Sequence, residues 1–166
     1  PTPSPPMDTA IPVAAEQKMA ALEKWMAPLF AKFPHLPESA RQTIANIAPW
    51  IALIFGALGL LALLSAGAMA TLFSFASVVL LANGITPLVL LITVIAGIIA
   101  CALELLAFKP LGARRKKGWN YLFYGTVLTT AATLLNMAVG YGSLGSLVGS
   151  LIGFWLLFEV RGLYHS

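Results

Sequence analysis

The sequence predicts an all-α integral membrane helical bundle with four transmembrane helices, an N-terminal amphipathic helix and a short interfacial or re-entrant helix. Three observations predict it. Residues 42–103 form a run of 62 without a charged side chain, and residues 118–158 form a second of 41. Only 10% of the 166 residues are charged, against about 25% in a typical soluble domain. Cations flank the apolar runs (Lys109, Arg114, Arg115, Lys116 and Lys117 between them). A helix needs roughly 20 apolar residues to cross about 30 Å of hydrocarbon, so the two runs hold several crossings.

The elements follow in order. Residues 1–11 are expected to be a disordered tail, because Pro1, Pro3, Pro5 and Pro6 interrupt a polar stretch that cannot form a core. Residues 12–36 read as a cytoplasmic amphipathic helix. Met19, Leu22, Met26, Leu29 and Phe33 recur at spacings of three and four, and Glu16, Lys18, Glu23 and Lys24 fall mostly off that stripe. Pro28 is expected to kink or restart it, and Pro34 with Pro37 to end it.

The membrane domain takes residues 37–166. Span one is placed at 48–68, with Trp50 at headgroup level, where its amphipathic ring is favoured. Residues 70–81 are too short to cross comfortably at about 1.5 Å per residue, and are read as the surface or re-entrant piece. Span two covers 87–108, stopped by Lys109-Pro110. Span three covers 119–139, and the turn at Gly140, Tyr141 and Gly142 leads into span four at 144–160. Two crossings in the long run place Lys18, Lys24, Lys32 and Arg41 on the same side as the basic loop, as the positive-inside rule favours; three would separate them. Both termini are then cytoplasmic, and the first span serves as its own insertion signal.

Span four carries the sharpest motif: Gly145, Gly149 and Gly153 at four-residue spacing, with Ser146 and Ser150 beside them. In lipid no hydrophobic force draws helices together, and small residues let backbones approach. Candidate partner rows are Ala62, Ala66 and Ala70 in span one, Thr93, Gly97 and Cys101 in span two, and Gly125, Thr129 and Thr133 in span three. The row fits packing inside the bundle or association with another membrane helix. Trp25, Met26 and Phe30 would form the working face of the cytoplasmic helix.

The intramembrane acids are Glu104 and Glu159. Both are expected near the cytoplasmic surface, pairing with Lys109, Arg161 or the loop cations. Alternatively Glu104 is a coupling carboxylate facing a cavity, since acids inside spans are expensive and often functional. Arg114, Arg115, Lys116 and Lys117 determine topology and can hold anionic headgroups. The threonines of span three are expected to bond their own backbone or a neighbouring helix.

Catalysis finds no support. The histidines, His35 and His165, both lie outside the spans, so no serine there has an imidazole base. Clustered zinc ligands and glycine-rich phosphate loops are also lacking. Cys101 is the only cysteine, so an intrachain disulfide is impossible. No cofactor or metal is expected, and no nucleic acid.

In size and span count the chain is similar to the small multidrug transporters. It departs from them in having no acid in its first span, where that family carries its coupling glutamate, and in its extra N-terminal helices. The basic loop running into Trp119, Tyr121 and Tyr124, and the ending through Trp155, Glu159 and Arg161, look like small uncharacterised bacterial membrane proteins. The bacterial inner membrane is therefore the expected location. The expected function is that of a non-enzymatic structural or accessory subunit acting through helix packing, partnered by the bilayer and by a larger membrane complex or itself. The alternative is a small oligomeric transporter or channel using Glu104.

Overall fold

A computed structural model describes residues 13–65, 85–140 and 142–165. The expected tail at 1–11, the surface helix at 70–81 and Tyr141 lie outside the described residues. Those residues form five α-helices and no strand: α1 (Val13–Phe30), α2 (Glu38–Leu64), α3 (Ile85–Gly112), α4 (Lys116–Ala138) and α5 (Leu144–Val160). A 3-10 turn, Arg161–Leu163, extends α5. The chain divides into two units, residues 1–35 and 36–166.

The first unit contains α1. Pro28 lies inside the helix, which continues through it to Phe30, so the expected kink does not end the element. A turn follows, closed by the Phe33 amide donating to the Phe30 carbonyl at 3.1 Å. The rings of Phe30 and Phe33 stack with centroids 5.8 Å apart.

In the second unit, three segments are long and apolar enough to cross a membrane: Glu38–Leu64, Leu91–Gly112 and Leu144–Leu163. That is one fewer than the four expected spans. The expected third span is the helix α4, but its lysines, threonines and asparagines make it too polar to qualify by composition. Its hydroxyls are satisfied locally. Thr126, Thr130 and Thr133 each donate to the carbonyl four residues earlier at 2.7–2.9 Å. Asn136 reaches across to the Thr93 hydroxyl of α3 at 2.6 Å and back to the Ala132 carbonyl at 2.8 Å. α4 is the inner helix of the unit: it packs most extensively on α3 and also on α5, and its Trp119 and Phe123 are fully buried.

α2 and α3 run antiparallel. Asn46 meets Arg114, Trp50 meets Phe108 edge-on at 5.5 Å, and farther along Leu63 lies against Gly97. The long uncharged run thus leaves the basic end along α2 and returns to it along α3. The α2 face in this seam is Ala45, Pro49, Ala52 and Gly56, all buried. A Cβ at Gly56 would lie 3.2 Å from the Cys101 carbonyl oxygen, and one at Gly59 would lie 2.8 Å from the Cys101 sulfur. The expected partner row of span one is therefore displaced: Ala62 is exposed, and Ala66 and Ala70 lie outside the described residues.

Lys109-Pro110 does not stop α3. The helix holds Pro110 and ends at Gly112, where the Arg115 amide reaches back to the Pro110 carbonyl at 2.8 Å. Proline there removes the bond to the Leu106 carbonyl and crowds it, a cost the helix absorbs in its last turn. Arg114 turns the chain with φ of 54°. Gly118 then meets α3 head-on. A Cβ there would lie 2.5 Å from the Leu111 nitrogen and 2.9 Å from the Pro110 carbonyl carbon. At the far end, Gly140 (φ 85°) closes α4. The Ser143 hydroxyl caps α5 by accepting from the Ser146 amide at 3.2 Å.

Gly118→Ala is expected to lower the stability of the protein in detergent by about 1–3 kcal/mol, because backbone rather than a yielding side chain stands in the way. Thermal unfolding followed by circular dichroism measures it; an unchanged midpoint contradicts the close approach.

Candidate functional site

Four helix ends meet at the basic end: the start of α2, the end of α3, the start of α4 and the end of α5. Backbone links tie the tail to the loop, with Lys116 N–H donating to the His165 carbonyl at 2.8 Å and His165 N–H to the Arg114 carbonyl at 3.0 Å. Trp119, at the start of α4, donates its indole N–H to the Leu157 carbonyl at 2.7 Å. Its ring stacks on Phe123 at 5.2 Å and meets Phe158 edge-on at 5.8 Å. Trp119 is the buried pin between α4 and α5.

The loop cations divide. The Lys116 ammonium sits 3.8 Å above the Trp119 ring. Arg114 donates to the Asn46 side-chain oxygen Oδ1 and lies over Tyr164. Arg115 and Lys117 are exposed, as a headgroup contact requires. Burial pushes the Tyr164 phenol above its ordinary range, against the opposing pull of Arg114.

The two acids also part company. Glu159 is buried and pairs with Arg41, a cation outside the expected set. Arg41 Nε lies 3.4 Å from the Glu159 carboxylate and donates to the Glu159 backbone carbonyl at 2.9 Å. The Leu36 amide donates to the same carboxylate at 2.9 Å. Arg41 thus neutralises an acid and satisfies a carbonyl in the last turn of α5, where cations are favoured. Only the folded chain shows this, since the partners are 118 residues apart.

Glu104 remains alone. Among the described residues neither a cation nor a hydrogen-bond donor reaches its carboxylate, and Lys109, its expected partner, is exposed. Glu104 lines a cavity of about 270 Å³ walled by α2, α3, α4 and α5. Ile51, Phe55, Leu122 and Leu156 are typical of its apolar wall, and Tyr164 also borders it. The Tyr164 hydroxyl is buried without a hydrogen-bond partner.

No family model, curated protein or solved structure matches the chain. The chemistry of the site therefore rests on its own residues.

The glycine row of α5 lies mostly uncovered. Among the described residues, nothing stands within 4 Å of a Cβ placed at Gly149, and only the Ser143 hydroxyl approaches one at Gly145, at 3.8 Å. Gly153 alone faces another helix, with the Thr126 methyl 3.9 Å away. Ser150 bonds its own helix at the Ser146 carbonyl, 3.0 Å away. The buried residues of α5, Phe154, Leu157, Glu159 and Val160, all belong to its second half. Gly56, Gly59 and Gly118 are the described glycines in tight contact between helices; Gly56 and Gly59 continue the three- and four-residue spacing of Ala45, Pro49 and Ala52 along α2, whereas no spacing marks Gly118.

Arg41→Ala is expected to cost about 3 kcal/mol, the low end for breaking a buried pair, because Arg41 stays partly exposed. Lys109→Ala should stay within about 0.5 kcal/mol of the parent. Reversible unfolding in mixed micelles compares them, and equal losses would contradict the Arg41 pairing.

Proposed function

We propose that the chain is a small multi-pass membrane protein, without catalytic chemistry, that works as a structural or accessory subunit through helix association. One observation carries this reading: the first half of α5 presents Gly145 and Gly149 with no packed neighbour among the described residues. Beside them Leu144, Val148, Leu151 and Ile152 are exposed. Small residues flanked by larger apolar ones are what a membrane helix offers to a second helix. The partner is a transmembrane helix of another copy or of a larger complex. The exposed ring of Trp25 on α1 gives a second, cytoplasmic surface for it.

In this reading the chain crosses the membrane four times, with α4 as the third and innermost crossing. Two features support it. α2 and α3 are antiparallel, and the cations Arg41, Arg114, Arg115, Lys116, Lys117 and Arg161 gather where four helix ends meet. Positive charge favours the cytoplasmic side, so both termini lie there, in a bacterial inner membrane on the sequence resemblance.

Gly149→Leu is expected to reduce association while leaving the stability of the single chain unchanged, because the added side chain meets open space. Cross-linking in native membrane, beside thermal unfolding in detergent, reads the two quantities. A loss of stability with association intact would assign the row to internal packing. For topology, single cysteines at Ser4 and Lys116 in a Cys101→Ser background should react from the same face of sealed vesicles; reaction from opposite faces overturns the four-crossing arrangement.

A further inference from the structure

We propose that the groove where the end of α3 meets the start of α4 is a binding site for the phosphate of an anionic phospholipid, held by Lys109, Arg115 and Lys117. The inference rests on the placement of α3 in the membrane from the preceding reading and uses nothing of the association through α5. It starts from a groove of about 460 Å³ bordered by three cations and, among the described residues, by no acid. That volume lies within the roughly 300–1,000 Å³ common for small-ligand sites.

Helix periodicity builds the groove. On α3, Leu106, Lys109, Pro110 and Ala113 follow one another at helical spacing and share one face. On α4, Lys117 and Tyr121 are one turn apart and share another. The turn between the helices supplies Arg115, whose N–H is tied to the Pro110 carbonyl at 2.8 Å. Residues 114–117 read as one basic run, and the fold sorts them alternately. Arg114 turns to Asn46 and Tyr164, and Lys116 to Trp119. Arg115 and Lys117 turn to the groove, where Lys109 joins them, and all three are exposed.

Charge selects the ligand. Three like charges around one groove repel each other, and an anion between them removes that cost. The acids of this unit are engaged elsewhere. Glu38 and Glu159 lie against Arg41. Glu104 sits about 200° around α3 from Leu106 and faces Gly56 of α2. A phosphate offers several acceptor oxygens to lysine, arginine and the Tyr121 hydroxyl at once. The walls say which phosphate. Leu106, Pro110 and Ala113 are apolar, and the Leu106 face of α3 continues to Ile99, which is 46% exposed. The apolar segment Leu91–Gly112 ends at the groove, so the site lies at headgroup depth. A lipid headgroup bound there lays its acyl chains along α3. A soluble phosphate or an acidic peptide leaves that apolar track uncovered, and a zwitterionic headgroup brings its own cation among the three.

In the test, the whole chain in an uncharged maltoside detergent is titrated with dioleoyl phosphatidic acid or dioleoyl phosphatidylcholine. Native mass spectrometry counts the lipids that stay bound. One phosphatidic acid per chain is expected to bind roughly tenfold or more tighter than phosphatidylcholine. Lys109→Gln and Arg115→Gln should each weaken it about fivefold. Lys116→Gln, which removes an equal charge that faces Trp119, should leave it unchanged. Radiolabelled orthophosphate, followed by equilibrium dialysis in the same detergent, should bind more weakly than the lipid. Equal binding of the two lipids overturns the proposal. So do equal losses in Lys116→Gln and Lys109→Gln, which would reduce the site to diffuse attraction. Orthophosphate binding as tight as the lipid's would assign the groove to a soluble phosphate and overturn the lipid. The comparison of the two lipids in the unaltered chain needs no variant, so it decides even where a substitution disturbs folding. It also needs no second copy and no particular orientation, so its failure leaves the association reading standing.

Discussion

Contact between backbones at glycine is the constraint on which the second unit depends. In hydrocarbon, burying a leucine against another helix gains little over leaving it in lipid, so association relies on close packing and on polar groups that find partners. Gly118 brings the start of α4 against the backbone of Leu111 and Pro110. That contact sets Trp119 where its N–H reaches Leu157 on α5. Gly56 and Gly59 do the same for α2 and α3, admitting the Cys101 carbonyl and sulfur at distances a side chain would forbid.

Polar chemistry is arranged around that packing. α4 carries more hydroxyls and amides than any other described helix, and it is the least exposed of them. Its threonines turn inward onto their own carbonyls, and Asn136 spends its amide on Thr93 and Ala132. A backbone already bonded in a helix, with side chains bonded to it, exposes few unsatisfied groups to lipid. This is why a segment of modest hydropathy can sit among three strongly apolar ones. At the basic end, Arg41 and Glu159 close the bundle by charge, and Trp119 closes it by packing. The two acids that look equivalent in sequence consequently differ: one is neutralised by the chain, the other faces a cavity.

Much of this was legible in the residues, for identifiable reasons. The boundaries of α5 follow from Ser143 as a cap and from the charge at Glu159, and the structure places the helix at Leu144–Val160. The start of α2 at Glu38 follows from Pro37. The Pro110 stop failed because the helix absorbs the lost bond and runs on to Gly112, and Arg114 with its positive φ provides the reversal. The Arg41–Glu159 pair was illegible, since no periodicity links residues so far apart. The small-residue seam of α2 was visible as Ala45, Pro49, Ala52 and Gly56, but spacing alone cannot say which of several small faces meets a neighbour.

Sequence alone determined that the chain is helical and carries helices long and apolar enough to cross a membrane, because helix length, uncharged runs and flanking cations are local properties, fixed residue by residue. Tertiary structure decided which glycines are packed and which are open, which acid is paired, and where a cavity forms. Those outcomes depend on the direction each helix face points once antiparallel neighbours are in place, and that direction is a property of the assembled bundle rather than of any one helix.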